Sequence, residues 1–600
     1  MTLCAQAFYR LGGDRLAWPE SSRGKSTCRR VIILALLLTT SVVAGAEKVA
    51  SPILIPPDRL GERICWLSDT RYQDDAALEK AKQYLKQAKA SGYTAVVLAN
   101  SKWLAMPKAW GAGYIGRLRA VGDEARRIGI GLIPYVTNFG NGDSLLSHEP
   151  NLAEGMPVRD ALFVVSGREA RAKADPSIRI VNGDFEQSER NNILAWAPET
   201  AKPGTSVFSD SEVVHGGKRS IRMQDFRMGN ANGSCRLTQP IRLTPFRQYR
   251  LTVWVKTQDL KPAEQAGVSL FMHAAWAGAR HLSYAPLEVK PTQDWTLHQF
   301  VFNSQRCGEV LLRVGIEGQG AGGKAWFDDL ALEEIGMLNV IRRTGCPLEV
   351  RGENGALYEE RRDFEPVSDP KLGRLHPWGG YSFAHEPPPL RLTTGSRIKD
   401  GQRLRVSFYH ATAVYGNQVS LCLSCPRAYE FFAEGIKQVD ELVHPVGYHI
   451  SVGEIRTANW DQDCQQRHLT PAQLLGDSIR RRIASIHKVN PTSRIYAWSD
   501  MFDPWHNARD HYYLCNGSWV GAWYDIPKEV IVLNWNYDRF EGQSPRFFAA
   551  NGFTQVVLGR GPDVRDWLLK NPDVTNVVGV MNFIAPSLEE FAEMIWGGHR

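Results

Sequence analysis

A chain of 600 residues with 22% charged and 43% hydrophobic residues is long enough for two or three domains and ordinary for a globular protein. The formal net charge of +7 is spread thinly, and no basic stripe is interleaved with aromatics, which argues against nucleic acid as a partner. The 18 tryptophans suit stacking on sugars as well as core packing.

Arg29 and Arg30 precede an apolar run, Val31 to about Ala46, that ends in Ala44-Gly45-Ala46 before Glu47. Basic flank, apolar run and small-residue exit describe a secretory signal over residues 1–46. The run is short against the roughly 20 residues of a bilayer span. The expectation is an exported protein, secreted or periplasmic, with no membrane span apart from the signal segment. Export permits disulfides, and Cys235 and Cys307 fall in one β-rich region as candidates for pairing. Cys422-Leu423-Ser424-Cys425 has no second Cys or His pair at ligand spacing, so zinc is not expected there.

From residue 62 strand and helix alternate. Residues 63–68, 94–100 and 131–137 read as short buried strands, and 75–90 and 113–127 as helices. The alternation places the first part of an α/β barrel at 47–176. Short alternating strands with Gly, Asn and Pro turns then predict an antiparallel β-sandwich over 177–336. A smaller β-rich, proline-rich insertion follows at 337–400. The α/β pattern resumes over 401–600, with strands at 404–410, 446–456, 494–500, 530–535, 555–558 and 577–583 and a helix over 427–442. The fold class is therefore α/β: a (β/α)8 TIM-type barrel interrupted after its third strand by a β-sandwich. Nine strand candidates compete for eight barrel positions.

Barrels of this kind carry their chemistry at the C-terminal tips of the strands. Glu454 closes one such strand and Asp500 the next, and Asp69 follows the first. Glu454 with Asp500 is the preferred carboxylate pair. Tyr409, His410, Tyr415 and Asn417 follow the resumed strand. Trp498, Trp505, His506 and Trp535 crowd the same predicted face and are candidate sugar contacts. His449 lies within its strand, as core histidines do. Arg456 is placed to pair with either acid.

Within the sandwich, Asn182-Gly183-Asp184-Phe185-Glu186, His215-Gly216-Gly217-Lys218 and Ala325-Trp326-Phe327-Asp328-Asp329 resemble carbohydrate-binding modules with a galactose-binding-like jelly-roll fold. That resemblance implies a structural calcium, with Asp184, Glu186 and Asp329 as oxygen donors; turn capping is the competing use of these acids. Trp276 is either a sugar platform or core.

In the barrel, His449-Ile450-Ser451-Val452-Gly453-Glu454-Ile455-Arg456 and Trp498-Ser499-Asp500-Met501-Phe502 resemble retaining glycoside hydrolases of the family-20 hexosaminidase type. The resemblance implies a glycosidase acting on a glycan or glycoconjugate, with Glu454 as general acid and no cofactor for catalysis. In that family an aspartate before the acid orients the substrate's acetamido group, the substrate-assisted exception to the two-carboxylate scheme. Here that position is Gly453. Its bare backbone favours a second reading, a catalytically silent carbohydrate-binding protein on a glycosidase fold.

Overall fold

The computed structural model describes residue 55 and residues 59–597, apart from 69–71, 100–110, 230–233, 262–264, 273–279, 318–321, 374–380, 415–417, 539–541, 560–561 and 584–586. The expected signal segment and Asp69, Tyr415, Asn417 and Trp276 lie outside the described residues. Among the described residues no helix is long and apolar enough to cross a membrane.

Eight parallel strands form one sheet. In chain order they are Glu62–Leu67, Ala95–Leu98, Gly131–Pro134, Gly447–His449, Arg494–Trp498, Val530–Asn534, Gln555–Gly559 and Val577–Asn582. The first pairs with the second and with the eighth. The third meets the fourth through a parallel bridge between Tyr135 and His449, reinforced by Val136 N–H donating to His449 O at 3.0 Å. The sheet is thereby closed into a barrel. Ile64, Ala95, Val97, Ile133, Tyr496, Leu533, Val556 and Met581 form a common cluster. These residues alternate along their strands with others that pack in a separate, larger cluster with the helices, as the two faces of a barrel wall require.

The helices start where their sequences direct. Asp74 caps Asp75–Ala90 through Ala77 N. Thr470 and Gln473 form a reciprocal capping box at the head of Pro471–Val489, with Pro471 at the first helical position, where its missing N–H costs nothing. Gly111–Ile128 and Pro426–Val443 touch backbone to backbone at Gly122, where an added Cβ would stand 2.7 Å from Leu442 O. These two helices flank the third and fourth strands, so the wall is continuous across the point of interruption.

Everything between the third strand and Pro426–Val443 occupies a strand-to-helix loop, which lies on the C-terminal face of a barrel. The insertion holds two five-stranded antiparallel sheets with strands between Ala197 and Glu334 and a shared buried cluster, the expected sandwich. It also holds a six-stranded sheet ordered 357–358, 349–352, 403–410, 156–166, 169–172, 390–391, with its own core.

That third sheet corrects the boundaries read from the sequence. Arg403–His410 is the ninth strand candidate. It runs antiparallel to Met156–Ser166, and alternate residues are buried along it. A strand buried on one face cannot line a barrel wall that is covered on both. The barrel's first part thus ends at residue 134 rather than near 176, and its second part resumes with the helix at Pro426 rather than at 401. The segment 337–400 is part of this sheet and not a separate unit.

Candidate active site

The fourth strand is short, and beyond it the chain turns sharply. Ser451 has φ 33° and Glu454 has φ 53°, a left-handed conformation that non-glycine residues seldom adopt and that clusters at functional sites. Three contacts hold this segment. Arg482, buried in Pro471–Val489, donates to Ile450 O at 2.7 Å and to Ser451 O at 3.3 Å, with its guanidinium over the Phe139 ring. Gly140 brings the loop after the third strand against the backbone, where a Cβ would stand 2.5 Å from Gly453 O. Glu454 N–H donates to Asp500 Oδ2 at 2.9 Å.

Glu454 and Asp500 are therefore brought together as expected. Asp500 is 1% exposed, and its Oδ2 also accepts from Asn507 Nδ2 at 3.0 Å. Burial, and then the charge of Glu454, push its carboxyl up to about 7, against the opposing pull of the Glu454 N–H and Asn507. Glu454 is half-buried, and its Oε1 is held by Arg456 Nη2 at 2.8 Å. Gln418 Nε2 lies 3.5 Å from Oε2. Gly453 lets the backbone pass close beside these acids. A Cβ there would stand 3.3 Å from Asp500 Oδ1 and 3.4 Å from Trp498 Cδ1.

Around the acids the strand tips supply aromatic rings. Trp66 and Trp498 lie 5.7 Å apart between centroids, Trp66 and Tyr135 5.5 Å, and Trp66 and Phe583 4.8 Å. Trp498 is buried, whereas Trp66, Tyr135 and Phe583 are only half-buried. His449 sits among them, 4.6 Å from Trp498. It is fully buried, and burial pushes its pKa down to about 3. That makes it a neutral core histidine, as read from its place within the strand. Half-buried Trp535 packs against the same cluster, with His506 edge-on at 4.4 Å. Trp505 lies against Phe547 and belongs to the surrounding loops. Asp503 organises those loops: it accepts from Ser544 Oγ at 2.7 Å and Asn536 Nδ2 at 3.2 Å, and burial raises its pKa.

Two expected contacts fall elsewhere. His410 is buried in the seam between the sandwich and the six-stranded sheet, with Gln248 and Asn303 on its two ring nitrogens at 3.1 Å and 3.0 Å. Tyr409, on the same strand, packs beside Gly155. Both follow from the placement of Arg403–His410 outside the barrel. Conversely, Trp66, Tyr135 and Phe583 were not singled out from the sequence, although each sits at or just past the end of a barrel strand. A cleft of about 490 Å³ lined in part by Arg171, Asp369, His385 and Arg391 opens on the six-stranded sheet, and the acid pair does not line it.

In the sandwich, Glu186 Oε1 accepts from Lys218 N at 2.6 Å and Arg219 N at 3.0 Å. Asp329 Oδ2 meets His215 Nδ1 at 2.6 Å. Both acids thus frame the 215–219 turn, the capping use, while Asp184 is exposed. Cys235 forms no disulfide with Cys307; its thiol lies 3.4 Å from Ser206 O. Cys422 does not act with Cys425 but meets Cys464 at 3.6 Å.

No family model matches the chain. Among curated proteins, the tRNA nuclease WapA of Bacillus subtilis (strain 168) is 27% identical over 162 residues, 26% of this chain and 7% of that protein. The tRNA(Glu)-specific nuclease WapA of Bacillus subtilis subsp. natto (strain BEST195) is 26% identical over a stretch of the same length. The chain spans less than a tenth of these relatives. Among solved structures it is similar to a family 16 carbohydrate-binding module at 22% identity, over 26% of this chain and 97% of that one, with a TM-score of 0.20. It is similar to the CBM22-1 xylan-binding domain from Paenibacillus barcinonensis Xyn10C at 14% identity, over 27% and 96%, with a TM-score of 0.21. It is similar to a rhamnosidase from Novosphingobium sp. PP1Y at 10% identity, over 88% and 55%, with a TM-score of 0.33. These neighbours are carbohydrate-binding modules and a glycosidase.

Proposed function

We propose that the protein is an exported glycoside hydrolase that cleaves a glycan or glycoconjugate at the C-terminal mouth of its barrel. The observation that carries this reading is the Asp500 carboxyl, pushed up to about 7 and tied to the backbone of a second strand-tip carboxylate. Acid-assisted glycosidic cleavage needs a carboxyl that keeps its proton beside a second carboxyl group. Arg456 holds Glu454 as an ion-paired acceptor, which supports exchanging the roles read from the sequence. Asp500 donates the proton to the leaving oxygen, and Glu454 serves as nucleophile or base. Half-buried Trp66 and Tyr135, backed by buried Trp498, give a sugar ring apolar faces on which to stack. With no side chain at Gly453, the family-20 acetamido-assisted route has no aspartate to orient it, so the proposal is a two-carboxylate enzyme. Calcium enters only through Glu186 and Asp329 at the 215–219 turn. A chelator is expected to lower the melting temperature if calcium is bound there, and an unchanged melt removes calcium from the proposal.

The test is turnover of aryl-glycosides and natural glycans by wild type, Asp500→Asn and Glu454→Gln. Loss of activity in both variants with folding retained supports the assignment. The second reading, a silent glycan-binding protein, is favoured by the depth of Asp500. It predicts glycan binding in all three proteins and turnover in none.

A further inference from the structure

Four buried side chains from distant parts of the chain converge just beyond the site, and the glycosidase reading uses none of them. Glu154, Cys422, Asp461 and Cys464 are each at most 1% exposed, and one donor atom from each lies within 4.8 Å of all the others. Cys422 Sγ is 3.6 Å from Cys464 Sγ and 3.4 Å from Asp461 Oδ1. Cys464 Sγ is 3.7 Å from Glu154 Oε2.

These spacings can be compared with a coordination sphere. With Zn–S bonds near 2.3 Å and Zn–O bonds near 2.1 Å, a tetrahedron has edges of about 3.8 Å between two sulfurs and about 3.6 Å between sulfur and oxygen. All three measured edges fall close to those lengths. A disulfide would have to close from 3.6 Å to about 2.05 Å.

The surroundings suit a cation. Glu154 Oε1 accepts from Trp460 N at 2.6 Å and Asp461 N at 3.2 Å, which orients the carboxylate and leaves Oε2 for the cluster. Arg343 donates to Asp461 Oδ2 at 2.6 Å, so the outer oxygen is satisfied and Oδ1 faces the thiols. Outer hydrogen bonds of this kind hold metal ligands in place. Ser424 N–H points at Cys422 Sγ at 3.4 Å.

We propose that Glu154, Cys422, Asp461 and Cys464 bind one zinc ion. As the dication enters, the two thiols, and any carboxyl of the quartet that holds a proton, release their protons to solvent, so that the ion meets two thiolates and two carboxylates. The ion would join three segments. Glu154 lies where the chain enters the inserted sheets, and Cys422 where it returns to the barrel. Asp461 caps, and Cys464 lies within, the short helix Gln462–Gln465 that follows the Glu454 turn. Its role is to fasten both ends of the insertion to the loop that carries Glu454. The proposal does not depend on the glycosidase reading.

The experiment is metal analysis of the full, folded chain purified without added chelator and then exposed to equimolar zinc. About one zinc per chain is expected, falling at least tenfold in Cys464→Ser and staying near one in Cys425→Ser, which changes the local CxxC but not the quartet. Cobalt in place of zinc should give a thiolate-to-metal charge-transfer band that Cys464→Ser removes. Should Cys464→Ser fail to fold, the wild type still decides. A folded wild type without zinc overturns the proposal. Intact mass and alkylation of that protein then tell whether Cys422 and Cys464 are thiols sharing protons with the carboxylates or a disulfide.

Discussion

Replacing Asp500 with asparagine should stabilise the protein at alkaline pH while abolishing its chemistry. Asp500 is buried and pushed up from 3.8 to about 7. A carboxyl raised on folding is bound to its proton more tightly in the native state. Above the folded value it must be ionised in a site that opposes the charge, or stay protonated against the solvent. No cost applies below pH 4. The cost then grows as pH rises and is complete above about 7. Each tenfold change in proton affinity is worth about 1.4 kcal/mol, so the full cost is about 4 kcal/mol. Asparagine keeps an oxygen that accepts from Glu454 N and Asn507 Nδ2 and has no proton to lose. Denaturant unfolding of both proteins from pH 4 to pH 9 is the assay. The wild-type curve should fall by a few kcal/mol relative to Asp500→Asn between pH 4 and pH 7, with the variant the more stable at pH 8. Parallel curves would mean that Asp500 titrates as an ordinary aspartate, and its role as proton donor would be withdrawn.

Gly453→Asp sets a third carboxylate beside Asp500 Oδ1. It should cost about 2–4 kcal/mol at pH 8 and much less at pH 5, whereas Gly453→Ala, which needs a shift of only a few tenths of an ångström, should cost under about 1 kcal/mol. Arg482→Met leaves Ile450 O and Ser451 O without their donor and should lower stability by about 2–4 kcal/mol, read by denaturant unfolding. Trp66→Ala should weaken glycan binding about tenfold, a loss of about 1.4 kcal/mol, measured by titration calorimetry. Catalysis should decline as pH rises through about 7, because the donor form of Asp500 is then lost.

Much of this molecule was legible in the chain. The barrel strands are runs such as Val530-Ile531-Val532-Leu533, buried on both faces, and the sandwich strands alternate, so each period announces its architecture. Glu454 and Asp500 stood out because each ends such a run. Arg403–His410 misled because its apolar content resembles a barrel strand. Only its partners, Met156–Ser166 and Glu349–Gly352, reveal the antiparallel pairing, and pairing between distant segments leaves no local mark. Tyr409 and His410 were displaced from the site with it. The exchange of roles between Glu454 and Asp500 depends on which acid Arg456 reaches, and spacing along the chain allows either. The cluster at Cys422 escaped notice because its other members come from two distant segments, Glu154 from one and Asp461 with Cys464 from another. The visible CxxC pointed to Cys425 instead.

The central claim is that the strand-tip acids cleave a glycosidic bond. Its most direct test is turnover across a panel of aryl-glycosides and natural glycans by wild type and Glu454→Gln at pH 5–7, with folding verified by thermal melting. The account predicts measurable wild-type hydrolysis that falls by at least about a hundredfold in Glu454→Gln. Wild-type turnover undiminished by the substitution, or glycan binding by both proteins with no turnover in either, would contradict it.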